Sequence, residues 1–113
     1  MATLRRYNGL PIMEINDGIY KEYNGYPIWE LSGNCLKRYN GYNRFEIDGN
    51  IIKEYNGMPI WERSGKFLKR YNGMCRYEID GKYIREYNGF YLYEIDGCLS
   101  DRELMGLLAI LCA

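Results

Sequence analysis

Tyr23-Asn24-Gly25-Tyr26-Pro27-Ile28-Trp29-Glu30-Leu31-Ser32-Gly33-Asn34-Cys35-Leu36-Lys37-Arg38 carries two turn signals eight residues apart, and the chain repeats this layout from end to end. Tyr-Asn-Gly begins at Tyr7, Tyr23, Tyr39, Tyr55, Tyr71 and Tyr87, a strict 16-residue beat. Midway between stand Ser32-Gly33, Asp48-Gly49, Ser64-Gly65, Asp80-Gly81 and Asp96-Gly97, with Asn16-Asp17-Gly18 as a copy slipped by one residue. Twelve of the 13 glycines occupy these turns, so the underlying beat is an octad. A longer beat overlies it, because residues 23–54 and 55–86 agree at 22 of 32 positions. Such periodicity marks a repeat architecture.

Asn-Gly or Asp-Gly between short β-prone segments is the strongest local hairpin signal. Glycine is expected to supply the positive φ of each turn, with Asn or Asp bonding its own backbone beside it. Segments such as Ile51-Ile52-Lys53-Glu54-Tyr55 have the usual strand length of about five to six residues. Pro11, Pro27 and Pro59 fall where a strand begins, where a missing N–H does least harm. A glycine every eight residues would break any helix. Leu4-Arg5-Arg6 copies Leu36-Lys37-Arg38, so a first strand runs from Thr3 to Tyr7. Eleven more follow, the last from Tyr91 to Ile95, for twelve short antiparallel strands.

The pattern stops at a different kind of segment. Ser100-Asp101-Arg102-Glu103 is a capping box, and Leu104 to Ala113 is apolar on every side. A helix of that kind must be buried all round or dock into a partner. Twelve strands about 4.8 Å apart enclose a barrel of roughly 9–12 Å radius. A helix packs at an interaxial distance of about 10 Å, so one helix fills such an interior, and closure removes the exposed sheet edges. The expected fold is therefore all-β with one C-terminal helix. A single domain over residues 1–113 comprises a hairpin array over 3–97, closed as a barrel around a central helix over 100–113. The octad places Leu4, Ile12, Tyr20, Ile28, Leu36, Ile52, Ile60, Leu68, Ile84 and Leu92 in one slot that faces this helix. Arg44 and Arg76 share the slot, so either those strands rotate their faces or two arginines point inward.

Twelve short antiparallel strands wrapped on a hydrophobic C-terminal helix resembles the tubby-like barrel of tubby, phospholipid scramblases and LURP-one-related proteins. Ile19-Tyr20-Lys21-Glu22-Tyr23-Asn24-Gly25-Tyr26-Pro27-Ile28 is similar to the aromatic, Asp/Asn, Gly, x, Pro, aliphatic hairpins of the LURP-one-related group. The hairpin repeats are also similar to those of small bacterial β-flower proteins. What the tubby-like resemblance implies is a membrane- or phospholipid-associated module.

Composition narrows the function from the other side. Fifteen basic residues balance fifteen acidic ones and alternate with them, which argues against nucleic acid as a partner. No signal peptide is visible at Met1-Ala2-Thr3-Leu4-Arg5-Arg6, and the single apolar run is too short to span a bilayer. Cys35, Cys75, Cys98 and Cys112 lack CxxC spacing and read as buried free thiols, so a cytoplasmic location is expected. There is no histidine, which removes the commonest general base and metal ligand.

The glutamates at Glu14, Glu22, Glu30, Glu46, Glu54, Glu62, Glu78, Glu86 and Glu94 raise the idea of paired catalytic carboxylates. Cross-strand pairing with Lys21, Lys37, Lys53 and Lys69 accounts for them better. Each Asp-Gly turn offers one carboxylate where calcium needs six to eight oxygens. No cofactor motif is present. Trp29, Phe45, Trp61, Tyr77 and Tyr93 recur in a slot that the octad turns outward, and with nearby Tyr and Asn they form a candidate ligand surface. The expected function is a non-catalytic binding or scaffold module of unidentified partner, with a carbohydrate or a peptide as the candidates. A helix docked into a neighbouring subunit would instead give a homo-oligomer.

Overall fold

The computed structural model describes all 113 residues. Twelve strands follow in order: β1 (Ala2–Arg6), β2 (Pro11–Asn16), β3 (Ile19–Glu22), β4 (Pro27–Ser32), β5 (Cys35–Arg38), β6 (Asn43–Asp48), β7 (Ile51–Glu54), β8 (Pro59–Ser64), β9 (Phe67–Arg70), β10 (Cys75–Asp80), β11 (Tyr83–Glu86) and β12 (Tyr91–Gly97). One helix, α1 (Asp101–Cys112), ends the chain. Each strand pairs antiparallel with its sequence neighbours, and β1 pairs with β12 to close the barrel. The molecule is a disc of 36 × 36 × 19 Å. Twelve helical residues span about 18 Å. Met105, Gly106, Leu107, Leu108 and Ala109 are buried, while Asp101, Arg102 and Ala113 are exposed. The helix thus threads the barrel with both of its ends in the open.

The two turn classes solve the same problem differently. At one end, which we call the base, every loop has two residues. Gly33, Gly49, Gly65 and Gly81 are the first loop residues there, with φ of 59–62°. A glycine at positive φ in that place is the type II′ pattern. The slipped copy loops through Asp17 (φ 52°) and Gly18 (φ 79°). Two positive values in a row mark type I′. Asn16 still faces Ile19 as Ser32 faces Cys35, so the slip changes the turn type and leaves the register alone. At the other end, the mouth, the asparagine of Tyr-Asn-Gly takes the positive φ (54–57°). Glycine is needed there for space, since a Cβ on Gly41 would come within 3.0 Å of the Arg38 Cβ.

Every strand pair joined through a Tyr-Asn-Gly loop carries a bulge. Leu36 faces Phe45 and Lys37 faces Asn43, leaving Arg44 with no partner on β5. Ile12, Ile28, Ile60, Arg76 and Leu92 stand in the same unpaired position. Each bulge carbonyl instead accepts the backbone N–H of the tyrosine that opens a Tyr-Asn-Gly loop, as Arg44 accepts Tyr55 at 3.2 Å. The pairs joined through the base are regular.

The bulge corrects the octad. An extra residue on every even strand moves its inward side chain by one place. Leu4, Tyr20, Leu36, Ile52, Leu68 and Ile84 face the helix with 0% exposure, as the octad requires. Ile12, Ile28, Ile60 and Leu92 are only half-buried at the bulges. The inward residues of the even strands are instead Met13, Trp29, Phe45, Trp61 and Tyr77, all buried, with Tyr93 half-buried beside them. Arg44 and Arg76 are exposed because a bulge residue has no place in the core.

Helix and barrel are matched at one point. Tyr20 is the single large aromatic in the fully buried ring of the odd strands, and a side chain on Gly106 would collide with its hydroxyl. That hydroxyl donates to the Glu103 carbonyl at 2.7 Å. The Glu103 carboxylate accepts the Gly18 N–H at 3.0 Å and the Ser100 N–H at 3.1 Å. These bonds complete the capping box and tie the helix start to the β2–β3 turn.

Candidate functional site

The side wall of the barrel carries a ladder of charge, broken at β8–β9, where Glu62 and Lys69 are opposed without forming an ion pair. Glu14–Lys21, Glu30–Lys37 and Glu46–Lys53 lie at 3.4–3.9 Å across regular strand pairs, and Glu78 takes both Lys66 (3.3 Å) and Arg85 (3.8 Å). Lys21, Lys37 and Lys53 thus make the cross-strand pairs that the glutamate spacing implies, while Lys69 does not. Nowhere do three His, Cys, Asp or Glu side chains gather as a metal set. No helix is long and apolar enough to cross a membrane. All four cysteines are free; Cys98 is exposed and the other three are half-buried, so none is the fully buried thiol expected.

The candidate surface of Trp29, Phe45, Trp61, Tyr77 and Tyr93 is displaced by the bulges. Trp29, Phe45, Trp61 and Tyr77 are 4–6% exposed and Tyr93 is half-buried, so these rings are core and offer no outward platform. Their polar cover is what faces solvent. The Arg38 guanidinium carbon lies 4.9 Å from the Trp29 ring centre, and Arg70 lies 5.2 Å from Trp61. Arg44 over Phe45 (5.4 Å) and Arg76 over Tyr77 (5.2 Å) stand in the same relation. Together they form a set of cation–π lids inside the mouth.

Two shallow concavities open there. One, of about 540 Å³, is lined by Asn43, Arg44, Phe45, Glu54, Tyr55 and Ile60 on one side and by Trp61, Arg70, Cys112 and Ala113 on the other. The second, of about 500 Å³, is lined by Cys75, Arg76, Tyr77, Glu86, Tyr87, Leu92 and Met74. Each of the first six in one is the residue 32 places from its counterpart in the other, so these are one site built twice. Burial pushes the Cys112 thiol up to about 11, and Arg76 and Arg70 pull it only part of the way back. Burial likewise raises the Tyr77 hydroxyl against the pull of Arg76, since a low-dielectric site disfavours the charged form. The last turn of α1 contains no basic side chain of its own, and these barrel arginines answer its negative dipole end.

No protein-family model, curated protein or solved structure matched this chain.

Around the concavities stands a ring of apolar loop tips, of which Met74 also lines the second concavity. The residue after each Tyr-Asn-Gly is Leu10, Tyr26, Tyr42, Met58, Met74 or Phe90, and all six are 76–90% exposed. The tyrosines opening the loops are 40–46% exposed beside them. At the base, the second loop residues are Asn34, Asn50, Lys66 and Lys82. A large apolar side chain in six loop tips out of six is the signal that the sequence did contain. Both ends carry both signs of charge: the mouth has Arg6, Arg38, Arg44, Arg70 and Arg76 with Glu22, Glu54 and Glu86, and the base has Asp17, Asp48, Asp80 and Asp96 with Lys66, Lys82 and Arg102.

Proposed function

We propose that this chain is a non-catalytic recognition module that engages a protein partner through its mouth. The observation that carries the reading is the ring of six apolar loop tips, 76–90% exposed around one end of a barrel whose other end has polar turns. Folding gains nothing from such exposure, and the recurrence of a large apolar side chain at every tip of one end supports an interaction surface there. Arginine, tyrosine, phenylalanine and methionine are also the residues enriched where proteins meet. The mouth mixes both signs of charge with apolar tips, which suits a polypeptide surface. A nucleic acid would meet Glu22, Glu54 and Glu86 among the arginines, and phosphates are repelled by carboxylates. The carboxylates of the side wall lie beside Lys or Arg across the strands, which supports a structural role for them.

The five methionines report on this directly. Met58 and Met74 are tips of the mouth, Met13 is core, Met105 lines the base and Met1 lies against the β2–β3 turn. With methyl-labelled methionine, Met58 and Met74 are expected to shift or broaden on titration with the chain itself or with a tryptic peptide library. Met1 and Met105 should stay in place. The proposal fails if the two tip methyls ignore both titrations, or if the base methyls respond in their stead. A response confined to anionic vesicles would replace the protein partner by a lipid surface.

A further inference from the structure

A closed barrel has no strand edge to offer, and most of the charges on its side wall are paired within the chain, which leaves the two ends as the surfaces to compare for self-association. Six charged residues stand at the mouth as the last residues of the odd strands: Arg6, Glu22, Arg38, Glu54, Arg70 and Glu86, all exposed. The strands follow one another around the barrel in sequence order, so these charges alternate in sign around the ring. Arg38 and Arg70 lie over core rings, which places this ring on the inner face of the mouth. Each of the six also pairs through its backbone N–H with the carbonyl of a loop tip, as Arg6 does with Leu10 at 3.1 Å and Arg38 with Tyr42 at 3.2 Å. The backbone of every apolar tip therefore lies directly beside a ring charge.

An alternating ring of six is its own complement. A two-fold axis lying in the plane of the ring, midway between neighbouring charges, sets each arginine of the ring opposite a ring glutamate of the second copy, with Arg44 and Arg76 outside this pairing. Arg6 then faces Glu22 of that copy, Arg38 faces Glu86 and Glu54 faces Arg70, each pair occurring twice as an isologous interface requires. The six apolar tips of each copy meet those of the other around this ring. We infer that the partner recognised by the mouth is a second copy of this chain, docked face to face. This rests on the mouth being a protein-recognition surface and names its occupant. The size fits, because the face is 36 Å across. A disc of that width covers about 1000 Å². A stable complex buries roughly 800 Å² per partner. An anionic lipid surface has one sign of charge and would leave the three glutamates of the ring opposed.

Sedimentation equilibrium on the full chain from low to high micromolar concentration tests it. The wild type is expected to be a dimer in the upper part of this range. Two ring variants make the result specific: Arg6→Glu/Arg38→Glu/Arg70→Glu, with an all-acidic ring, and Glu22→Arg/Glu54→Arg/Glu86→Arg, with an all-basic one. Like charges across the interface should weaken each homodimer at least about a hundredfold, and mixing the two variants should restore a one-to-one dimer. Far-UV circular dichroism confirms that each variant is folded; if either is not, Tyr26→Ser/Tyr42→Ser/Phe90→Ser serves in its place and should weaken the dimer as the tips are removed. A wild type that stays monomeric throughout overturns the inference, as does a dimer indifferent to ring and tip changes. Monomeric wild type with Met58 and Met74 responding to peptides would overturn the self-pairing and leave the recognition surface standing. If neither responds, both are lost.

Discussion

The two ends of this barrel are made by the same strands and differ in one residue of geometry. At the base, two-residue loops keep the strand pairs regular, and the loop residues are Gly, Asn, Lys and Asp. At the mouth, the Tyr-Asn-Gly loops come with a bulge on every even strand, and the tips are Leu, Tyr, Met and Phe. The bulge increases local twist and bends the strand that carries it, and six of them act on one end only. The contrast amounts to a division of labour. The base secures the fold, with the helix cap tied into it through Glu103 and Gly18. The mouth carries the apolar exposure.

The strongest challenge to this division lies within the mouth itself, where core aromatics and tip aromatics stand close together. Trp61 is 6% exposed, whereas Tyr42 is 90% exposed. Trp61→Ala should cost about 3–5 kcal/mol in denaturant unfolding. Tyr42→Ala should stay within about 0.5 kcal/mol. Equal losses at both sites would mean that tip and core are not distinct. A smaller contrast separates the turns. Gly33 at the base has φ 61°, and Asn40 in the mouth has φ 57°. Gly33→Ala forces a side chain onto a left-handed backbone and should cost about 1–2 kcal/mol. Asn40→Gly replaces one tolerant residue by another and should change stability by less than about 0.5 kcal/mol. Urea melts of the two variants give the comparison.

The mildest consequence concerns the base. Burial raises the Glu103 carboxyl, but the N–H groups of Ser100 and Gly18 and the Ser100 side chain outweigh it and hold the group below its ordinary value of 4.5. Hydrogen bonds to the charged form are the cause. A carboxylate depressed in the folded state stabilises the protein above its unfolded value, and this contribution is lost as pH falls through the lower folded value. Thermal melts of the wild type should therefore lose stability below about pH 4.5. In Glu103→Gln that particular loss should be missing, and identical pH profiles would detach Glu103 from the helix cap.

Much of the fold was legible from turn chemistry alone. Twelve strands, their antiparallel order, the capped helix and its burial all follow from where Gly, Asn, Asp and Ser recur and from the apolarity of 104–113. The facing of the even strands was not legible, because turns repeat every eight residues while side-chain direction does not. One bulge in each 16-residue unit shifts the inward slot by one place without altering the spacing of the turns. Trp29, Phe45, Trp61, Tyr77 and Tyr93 thereby pass from the expected surface into the core, and the same shift releases Arg44 and Arg76 from it. The tip residues were readable in principle. Leu10, Tyr26, Tyr42, Met58, Met74 and Phe90 follow six identical turn signals, and their constancy as large apolar side chains has no role in hairpin geometry.

A barrel of six near-identical hairpins would accept its axle in six nearly equal rotational settings, and a protein needs one native state separated from its competitors. The notch at Gly106 works as a keyway. Only the hairpin bearing Tyr20 supplies a key that fills it, and the odd Asp17-Gly18 turn beside it latches Glu103. The irregular first repeat, which looks like wear in an otherwise periodic chain, is therefore the index mark by which the wheel and its axle find a single angle.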